Sequence, residues 1–171
     1  MTINQPTALQ LTINIAQQTL TVYNQQNAIA HYSVSTAKNG IGSQQDSGCT
    51  PLGQHVIAEK IGADAPSYAV FIGRVPTGEI YDAELGLLNP ERDWILSRIL
   101  WLSGLEEGVN KGSNSQGGCD TYQRYIYIHG TPDSEPMGIP LSHGCVRMRN
   151  QDIVELFEQV NEGTMITIIA E

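Results

Sequence analysis

The sequence predicts a mainly β, β-rich α+β fold with a helix close to the C-terminus. In the N-terminal third, apolar and polar residues alternate over short stretches, as in Leu9–Ala16, and this period of two is typical of half-buried strands. After the last cysteine, apolar residues recur at helical spacing. A chain of 171 residues suits one domain. We therefore predict a single domain over 1–171, with an elaborated middle segment at about 62–120.

The first part of the chain contains several predicted strands. A Gln-Gln turn separates the first two, and the short spacing of the first three favours an antiparallel sheet. "TPLG" then leads into a fourth strand. The four predicted strands are Leu9–Ala16, Thr19–Asn24, Ala28–Ala37 and Gln54–Ile61.

The middle of the chain is less regular. Periodicity alone does not assign Trp94–Gly104 to a helix or a strand, and its β-branched and aromatic residues favour a strand. The glycine-, serine- and asparagine-rich segment Gly108–Asp120 is predicted to be a loop that covers a site. Tyr122–Gly130 then resumes a strand pattern.

The C-terminal part contains the clearest helix of the sequence. Asn150 suits the N-cap, acidic residues follow in the first turns, and Gly163 ends the helix. Thr164–Ala170 is predicted to close the fold as a strand.

The charge and the apolar runs exclude several classes of partner. The formal net charge is −9 with only 9 Lys and Arg residues, which argues against nucleic acid or an anionic membrane as partner. No apolar run reaches the roughly 18–20 residues of a membrane span. The first residues lack the basic and apolar regions of a secretory signal, so we expect a cytoplasmic protein, or a periplasmic one if the chain is a trimmed mature form.

Three cysteines, odd in number and far apart, indicate no disulfide framework. For Cys49 and Cys119 we expect small, buried, unreactive side chains. The "GGC" setting of Cys119 leaves open a position near the active cleft.

The stretch "IHGTPDSEPMGIPLSHGCVRM" (Ile128–Met148) concentrates the reactive residues of the chain. A cysteine with a pKa of about 8.5 is mostly protonated at neutral pH and needs a base to act as a nucleophile. His129, at the end of a predicted strand, is placed to approach Cys145. Backbone N–H groups of Gly144 and Cys145, in a glycine-permitted turn, are candidate oxyanion donors.

A metal site is the alternative for these residues. His129, His143 and Cys145 are legitimate zinc ligands, and Asp133 or Cys119 would supply a fourth. The spacing matches neither a zinc finger nor an HExxH helix, and we predict no metal and no cofactor.

The motif resembles that of the L,D-transpeptidase (YkuD-type) catalytic domain family. The family signature is a histidine, a gap, and then Ser/Thr-His-Gly-Cys followed by a hydrophobic residue. "TPLG" at Thr50–Gly53 and the opening strands are also similar to the family pattern. In this chain the signature positions are His129, Ser142, His143, Gly144, Cys145 and Val146.

The resemblance implies a β-sandwich or barrel with the C-terminal helix after the cysteine loop, and it implies a role for each motif residue. Cys145 would be the nucleophile and His129 its general base, oriented by the carbonyl of Gly130. Ser142, His143 and Gly144 would shape the turn and the oxyanion site. The fork of Arg147 would suit a substrate carboxylate.

The resemblance also implies the reaction and its partners. The substrates would be peptidoglycan stem peptides or muropeptides, cleaved at the L,D bond between meso-diaminopimelate and the terminal D-Ala, and carbapenem-type β-lactams would acylate Cys145. We predict an L,D-carboxypeptidase that serves cytoplasmic muropeptide recycling. A cross-linking L,D-transpeptidase is the first alternative. A binding module with an idle site is an alternative of another class.

Overall fold

The computed structural model describes residues 8–171, so residues 1–7 of the predicted domain lie outside the described residues. In this part the chain forms mainly strands, with a short and a longer helix. The elements in chain order are β1 (Leu9–Asn14), β2 (Thr19–Asn24), β3 (Asn27–Ser33), β4 (Gly53–Ile61), β5 (Ala69–Ile72), β6 (Val75–Ile80), α1 (Ala83–Leu88), β7 (Ile95–Gly104), β8 (Ser113–Asn114), β9 (Gly117–Gly118), β10 (Tyr127–Gly130), β11 (Val146–Met148), α2 (Asn150–Gln159) and β12 (Met165–Ile169).

Ten of the described strands form one large mixed sheet that closes on itself, and β8 and β9 form a separate hairpin. The order of the large sheet is β11-β10-β7-β4-β12-β1-β2-β3, with parallel pairs β1–β12 and β10–β11. Beyond β3, Ser35 and Arg147 of the opposite edge strand exchange backbone hydrogen bonds of 2.9 and 2.8 Å. This bridge joins the two edges and confirms the predicted mainly β, barrel-like fold.

The core of the barrel is apolar and extends onto the longer helix. Strand residues that alternate inward pack with one face of α2, whose Ile153, Leu156 and Phe157 are buried. The helix contacts β7 and β10. Because burial of such side chains is the main stabilising term in folding, the packing of α2 against β7 and β10 fixes the strand that carries His129 in the sheet.

The strands predicted from the period of two are confirmed, with one partial error. β1, β2 and β3 form the expected antiparallel sheet, and Trp94–Gly104 is the central strand β7. The strand predicted over Tyr122–Gly130 is wrong in its first half, where backbone bonds from Arg124 to Asp120 and from Tyr125 to Tyr122 form turns. Tyr125 has a positive φ of 56° and is the last residue of the turn. The strand β10 then begins at Tyr127.

The predicted helix is confirmed, but it ends at Gln159 and not at Gly163, and its N-cap is not Asn150. The N-cap is Arg149, which makes no side-chain capping bond, and Asn150 is the first helical residue. The side chain of Asn150 is buried, donates to the carbonyl of Thr131 at 2.7 Å and accepts from the hydroxyl of Ser97 at 2.6 Å. Because the side-chain amide of Asn150 makes these tertiary hydrogen bonds, it does not cap the helix as the sequence predicted.

The middle segment contributes both core and surface elements. Besides the central strand β7, it contains the hairpin β5–β6, the short helix α1 and the small hairpin β8–β9. β5 pairs with β7, so the hairpin is an extension of the main sheet. Its two-residue turn, Gly73 and Arg74, has φ of 55° and 69°, as hairpin turns of type I′ require.

Candidate active site

The parallel pair β10–β11 brings together the residues of the sequence motif. His129 in β10 lies opposite Arg147 in β11, and Cys145 immediately precedes β11. Both His129 and Cys145 line one pocket of about 370 Å³, together with Ser142 and His143. A larger pocket of about 460 Å³ beside Phe71 contains none of the predicted site residues.

The imidazole of His129 is buried and held in one tautomer. Its Nδ1 lies 2.7 Å from the carbonyl oxygen of Gly130. Because a carbonyl only accepts, Nδ1 carries the proton. Burial lowers the pKa of His129 below its ordinary value, which favours the neutral ring. The lone pair is therefore on Nε2, as a general base requires.

Gly130 occupies a position without room for a side chain. A Cβ there would lie 2.5 Å from the carbonyl oxygen of Leu96 and 2.6 Å from the side-chain oxygen of Asn150. The absence of a Cβ lets β10 approach β7 and α2 closely enough to place the Gly130 carbonyl beneath the imidazole.

The thiol of Cys145 is held by the backbone of the chain that leads into β10. The N–H of Tyr127 donates to Sγ at 3.3 Å, and the thiol donates to the carbonyl of Tyr125 at 3.4 Å. Burial raises the pKa of Cys145 to about 12, against the opposing effect of the Tyr127 N–H. In the free protein the pair is thus a thiol and a neutral imidazole, without a preformed thiolate.

The turn before Cys145 is closed by Ser142. Its hydroxyl donates to the carbonyl of Cys145 at 2.5 Å and accepts from the N–H of Gly144 at 3.2 Å. Gly144 has φ of 135°, a conformation that favours glycine. Since the Gly144 N–H is bonded within the turn, the oxyanion hypothesis depends on the N–H of Cys145. His143 is exposed at the rim, with Nδ1 3.8 Å from Asp93.

Arg147 lines the pocket but already faces acidic side chains of the protein. Its Nη2 lies 3.1 Å from Asp93 and its Nη1 lies 3.9 Å from Glu135. The side chain is largely buried, which strengthens these ion pairs relative to surface pairs. A substrate carboxylate at Arg147 therefore has to compete with two protein carboxylates.

An aromatic cluster with one arginine lies beside the pocket, and the sequence motifs did not reveal it. Its members Arg74, Tyr125 and Tyr127 line the pocket, and the other rings pack behind them. Trp101 stacks on Tyr122 with ring centroids 3.9 Å apart and meets the edge of Tyr127 at 5.8 Å. Arg74 lies 4.6 Å from the ring centroid of Trp101 and 5.0 Å from that of Tyr125. Nη1 of Arg74 donates to the hydroxyl of Tyr127 at 3.0 Å. We call this set (Arg74, Trp101, Tyr122, Tyr125 and Tyr127) the hairpin wall.

One signal in the sequence, which we did not use, could have identified Tyr127 as part of the hairpin wall. Tyr127 and His129 are two residues apart on a predicted strand and must therefore share a face. Burial raises the pKa of Tyr127, so its hydroxyl stays protonated beside Arg74.

Arg124 supports the pocket from the side of the first cysteine. Its guanidinium donates to the carbonyls of Cys49 and Gly42 at 2.7 and 3.2 Å and to the Ser47 hydroxyl at 3.3 Å. Cys49 is half-buried, and Cys119 is fully buried with its sulfur 3.7 Å from the carbonyl of Lys111. Neither thiol lines the pocket.

The geometry does not support the zinc alternative. Within residues 8–171, no group of three His, Cys, Asp or Glu side chains is arranged to hold a metal ion. Asp133 accepts from the hydroxyl of Tyr68 at 2.5 Å and from Asn150 at 3.2 Å instead of approaching Cys145. Over the same described range, no helix has the length and apolarity to span a membrane.

Known proteins share both the sequence pattern and the fold. Over 48 residues, 28% of this chain, it is 50% identical to the probable L,D-transpeptidase YbiS of Escherichia coli K12, and the match spans only 16% of that protein. It is 35% identical over 65 residues to the putative L,D-transpeptidase YkuD of Bacillus subtilis 168, covering 35% of this chain and 40% of that one.

A solved structure extends the likeness to nearly the whole chain. The L,D-transpeptidase LdtMt1 in complex with imipenem superposes with a TM-score of 0.56 over 95% of this chain and 59% of its own, at 19% identity, which shows the fold alone. The family model of the L,D-transpeptidase catalytic domain, YkuD, matches residues 9–168. The chain therefore belongs to the YkuD L,D-transpeptidase catalytic domain family.

Proposed function

We propose that this protein is a cysteine acyl-transfer enzyme that cleaves the L,D peptide bond between meso-diaminopimelate and the terminal D-Ala of peptidoglycan tetrapeptide stems. The observation that carries the proposal is the pairing, in one pocket, of Cys145 with a neutral His129 whose Nδ1–H is bonded to Gly130. Membership of the family supports the substrate class.

In the proposed first step, Cys145 attacks the carbonyl carbon of the diaminopimelate residue. The thiol proton, which is directed at the Tyr125 carbonyl in the free protein, turns to Nε2 of His129 as the C–S bond forms. The oxyanion is stabilised by the backbone N–H of Cys145, in a turn that Ser142 holds rigid. The imidazolium then protonates the amine of D-Ala, which leaves a thioester on Cys145.

The thioester is resolved by water in our leading proposal, giving a tripeptide stem and making the protein an L,D-carboxypeptidase. His129, neutral again after D-Ala leaves, would deprotonate the water. The choice of water over the amine of a second stem, and with it the cytoplasmic recycling role, remains the prediction made from the sequence. The alternative outcome is a cross-link between stems.

A β-lactam supplies a second acyl donor for the same nucleophile. LdtMt1 has been solved in complex with imipenem, and its fold is shared by this chain. We propose that carbapenems acylate Cys145 by ring opening, with His129 again accepting the thiol proton. Intact mass of the protein after exposure to imipenem is expected to increase by one opened carbapenem, and a Cys145→Ala variant is expected to stay unmodified.

Product analysis tests the proposal directly. The protein and its Cys145→Ala variant are incubated with a disaccharide-tetrapeptide, with and without excess acceptor stem, and the products are identified by mass spectrometry. Loss of one D-Ala without dimer, absent in the variant, is the expected result. Cys145-dependent dimer would overturn hydrolysis in favour of transpeptidation. No Cys145-dependent product would overturn acyl transfer and favour a binding module.

The middle segment, about 62–120, is proposed to restrict access of a second stem. The β8–β9 hairpin supports the rim of the site because the N–H of Gln45 donates to the carbonyl of Gly118 at 2.8 Å. Asp46, next to Gln45, lines a small rim pocket with Arg124 and His143.

Deletion of Gly112–Gly118 is expected to raise the ratio of dimer to tripeptide, and an unchanged ratio would contradict this role.

A further inference from the structure

The three arginines that line the pocket differ in what already binds them. Arg147 faces two carboxylates, and Arg124 donates to two backbone carbonyls and a hydroxyl. Within residues 8–171, Arg74 has no acidic partner, and its polar contact is the hydroxyl of Tyr127. Of the three pocket arginines, Arg74 therefore makes the fewest polar contacts within the described part of the chain and keeps the most donors for a ligand.

The position of Arg74 is fixed by the hairpin and by the aromatic rings. The turn at Gly73 and Arg74 ends β5, and β5 pairs with β7, the strand that carries Trp101. The guanidinium lies over Trp101 and Tyr125, and these cation–π contacts restrict where it can move, while Nη1 donates to Tyr127. The half-buried setting strengthens any ion pair of Arg74 relative to bulk water.

The neighbourhood of Cys145 connects this cation to the reacting centre. The hydroxyl of Tyr127 accepts from Arg74, and the backbone N–H of the same residue donates to the sulfur of Cys145. Cys145 also packs against the cluster that contains Trp101 and Tyr127. A peptide whose scissile carbonyl lies at the sulfur therefore shares one pocket with Tyr127 and Arg74.

We propose that Arg74 binds a carboxylate of the donor stem peptide and so determines which acidic peptides enter the site. This inference rests on the proposed function for the identity of the peptide. Such a stem carries carboxylates on D-Glu, on meso-diaminopimelate and on D-Ala, and the planar fork of Arg74 can bind one of them with two parallel hydrogen bonds. In this proposal, Arg147 holds Asp93 and the loop around it. Arg74, in the turn of the β5–β6 hairpin, determines which peptides bind.

Binding to a protein that cannot turn over substrate tests the inference. In a Cys145→Ala background, calorimetry gives the Kd of L-Ala-γ-D-Glu-meso-diaminopimelyl-D-Ala and of its three singly amidated forms. We expect one amidation to weaken binding about tenfold, the range of a charged hydrogen bond at a half-exposed site. We expect Arg74→Met to abolish that penalty and Arg74→Lys to keep part of it.

A matched control comes from a second stacked arginine. Arg92 lies 4.4 Å from the ring centroid of Trp94, but it pairs with Glu79 at 2.7 Å and does not line this pocket. Arg92→Met is expected to keep the full amidation penalty. The thermal unfolding midpoints of all variants are measured alongside.

Each outcome of the binding experiment either supports or overturns the inference, and none of them depends on catalysis. The inference is overturned if no amidation weakens binding, if the acid peptide does not bind, or if Arg74→Met keeps the full penalty. A penalty that disappears in Arg74→Met alone supports it. Failure of the proposed function is recognised separately, because wild-type protein would then bind the acid peptide and release no D-Ala.

Discussion

The two sides of the pocket are built from different kinds of sequence and carry different chemistry. The first side, which we call the motif wall, consists of His129, Gly130, Ser142, Gly144 and Cys145. Its residues are close in sequence, largely buried and bonded to backbone groups. The hairpin wall combines side chains from distant segments, is more exposed and carries a cation. On this difference rests our proposal that the motif wall carries out the chemistry and the hairpin wall recognises the peptide.

The largest expected effect comes from removing the nucleophile. Cys145→Ala is expected to lower the rate of D-Ala release by about 10⁴-fold or more, because no other thiol lines the pocket. The rate is measured by mass spectrometry of the tripeptide product. Peptide binding and the unfolding midpoint should change little, and a variant that retains more than a tenth of the wild-type rate would remove Cys145 from the mechanism.

The next effect concerns the base of the motif wall. His129→Gln is expected to lower kcat by about 10²- to 10⁴-fold, the usual contribution of a general base. KM should stay within threefold of wild type, since the His129 ring is buried and its Nδ1 is already bonded to the Gly130 carbonyl. A matched His143→Gln variant, changed at the exposed rim, should lose less than tenfold.

The pH dependence of the reaction reports on the same imidazole. Burial lowers the pKa of His129 from its ordinary value of 6.5, so the basic form persists as pH falls through that value. The acidic limb of kcat/KM is therefore expected to have its midpoint below pH 6.5. A midpoint at or above 6.5 would contradict a buried neutral base. Unfolding midpoints across the same pH range exclude loss of the fold as the cause.

A moderate effect is expected on the hairpin wall. Arg74→Met should raise KM about tenfold with kcat within threefold, because one charged contact to the peptide is lost outside the reacting centre. The kinetic constants are measured with the acid peptide, and the amidated peptide should show no effect of the substitution. A fall in kcat with unchanged KM would move Arg74 into the chemistry.

The smallest effect is expected from removing the hydroxyl that positions Arg74. Tyr127→Phe takes away the acceptor at 3.0 Å but keeps the ring and the N–H that donates to Cys145. A neutral acceptor of this kind is worth about 1 kcal/mol, so KM should rise about fivefold. Adding Tyr127→Phe to Arg74→Met should have no further effect on KM, and an additive effect would show that the hydroxyl acts independently of Arg74.

Sequence reasoning succeeded where the information is local. The alternation in Leu9–Ala16 and the next segments specified the strands, and the helical spacing after Asn150 specified α2. The motif also led us to expect His129 close to Cys145, and both residues line one pocket, whereas the chemistry assigned to them stays a prediction. Those features required no knowledge of which strands pair.

Sequence reasoning failed where distant pairings decide the outcome. The hairpin wall exists because β5 and β10 both pair with β7, which places Arg74, Trp101 and Tyr127 together. The contact between Asp93 and Arg147 likewise depends on the pairing of strands that are distant in sequence. At Asn150, tertiary hydrogen bonds outweighed the local capping preference. Such couplings depend on the closed sheet and are absent from any short window of sequence.

One experiment tests whether the motif wall carries out the chemistry and the hairpin wall binds the peptide. Steady-state kcat and KM for D-Ala release are measured for wild type, His129→Gln and Arg74→Met with the same acid tetrapeptide. The account predicts that His129→Gln lowers kcat at least 10²-fold with KM nearly unchanged, and that Arg74→Met raises KM about tenfold with kcat nearly unchanged. Equal losses of kcat in both variants would contradict it.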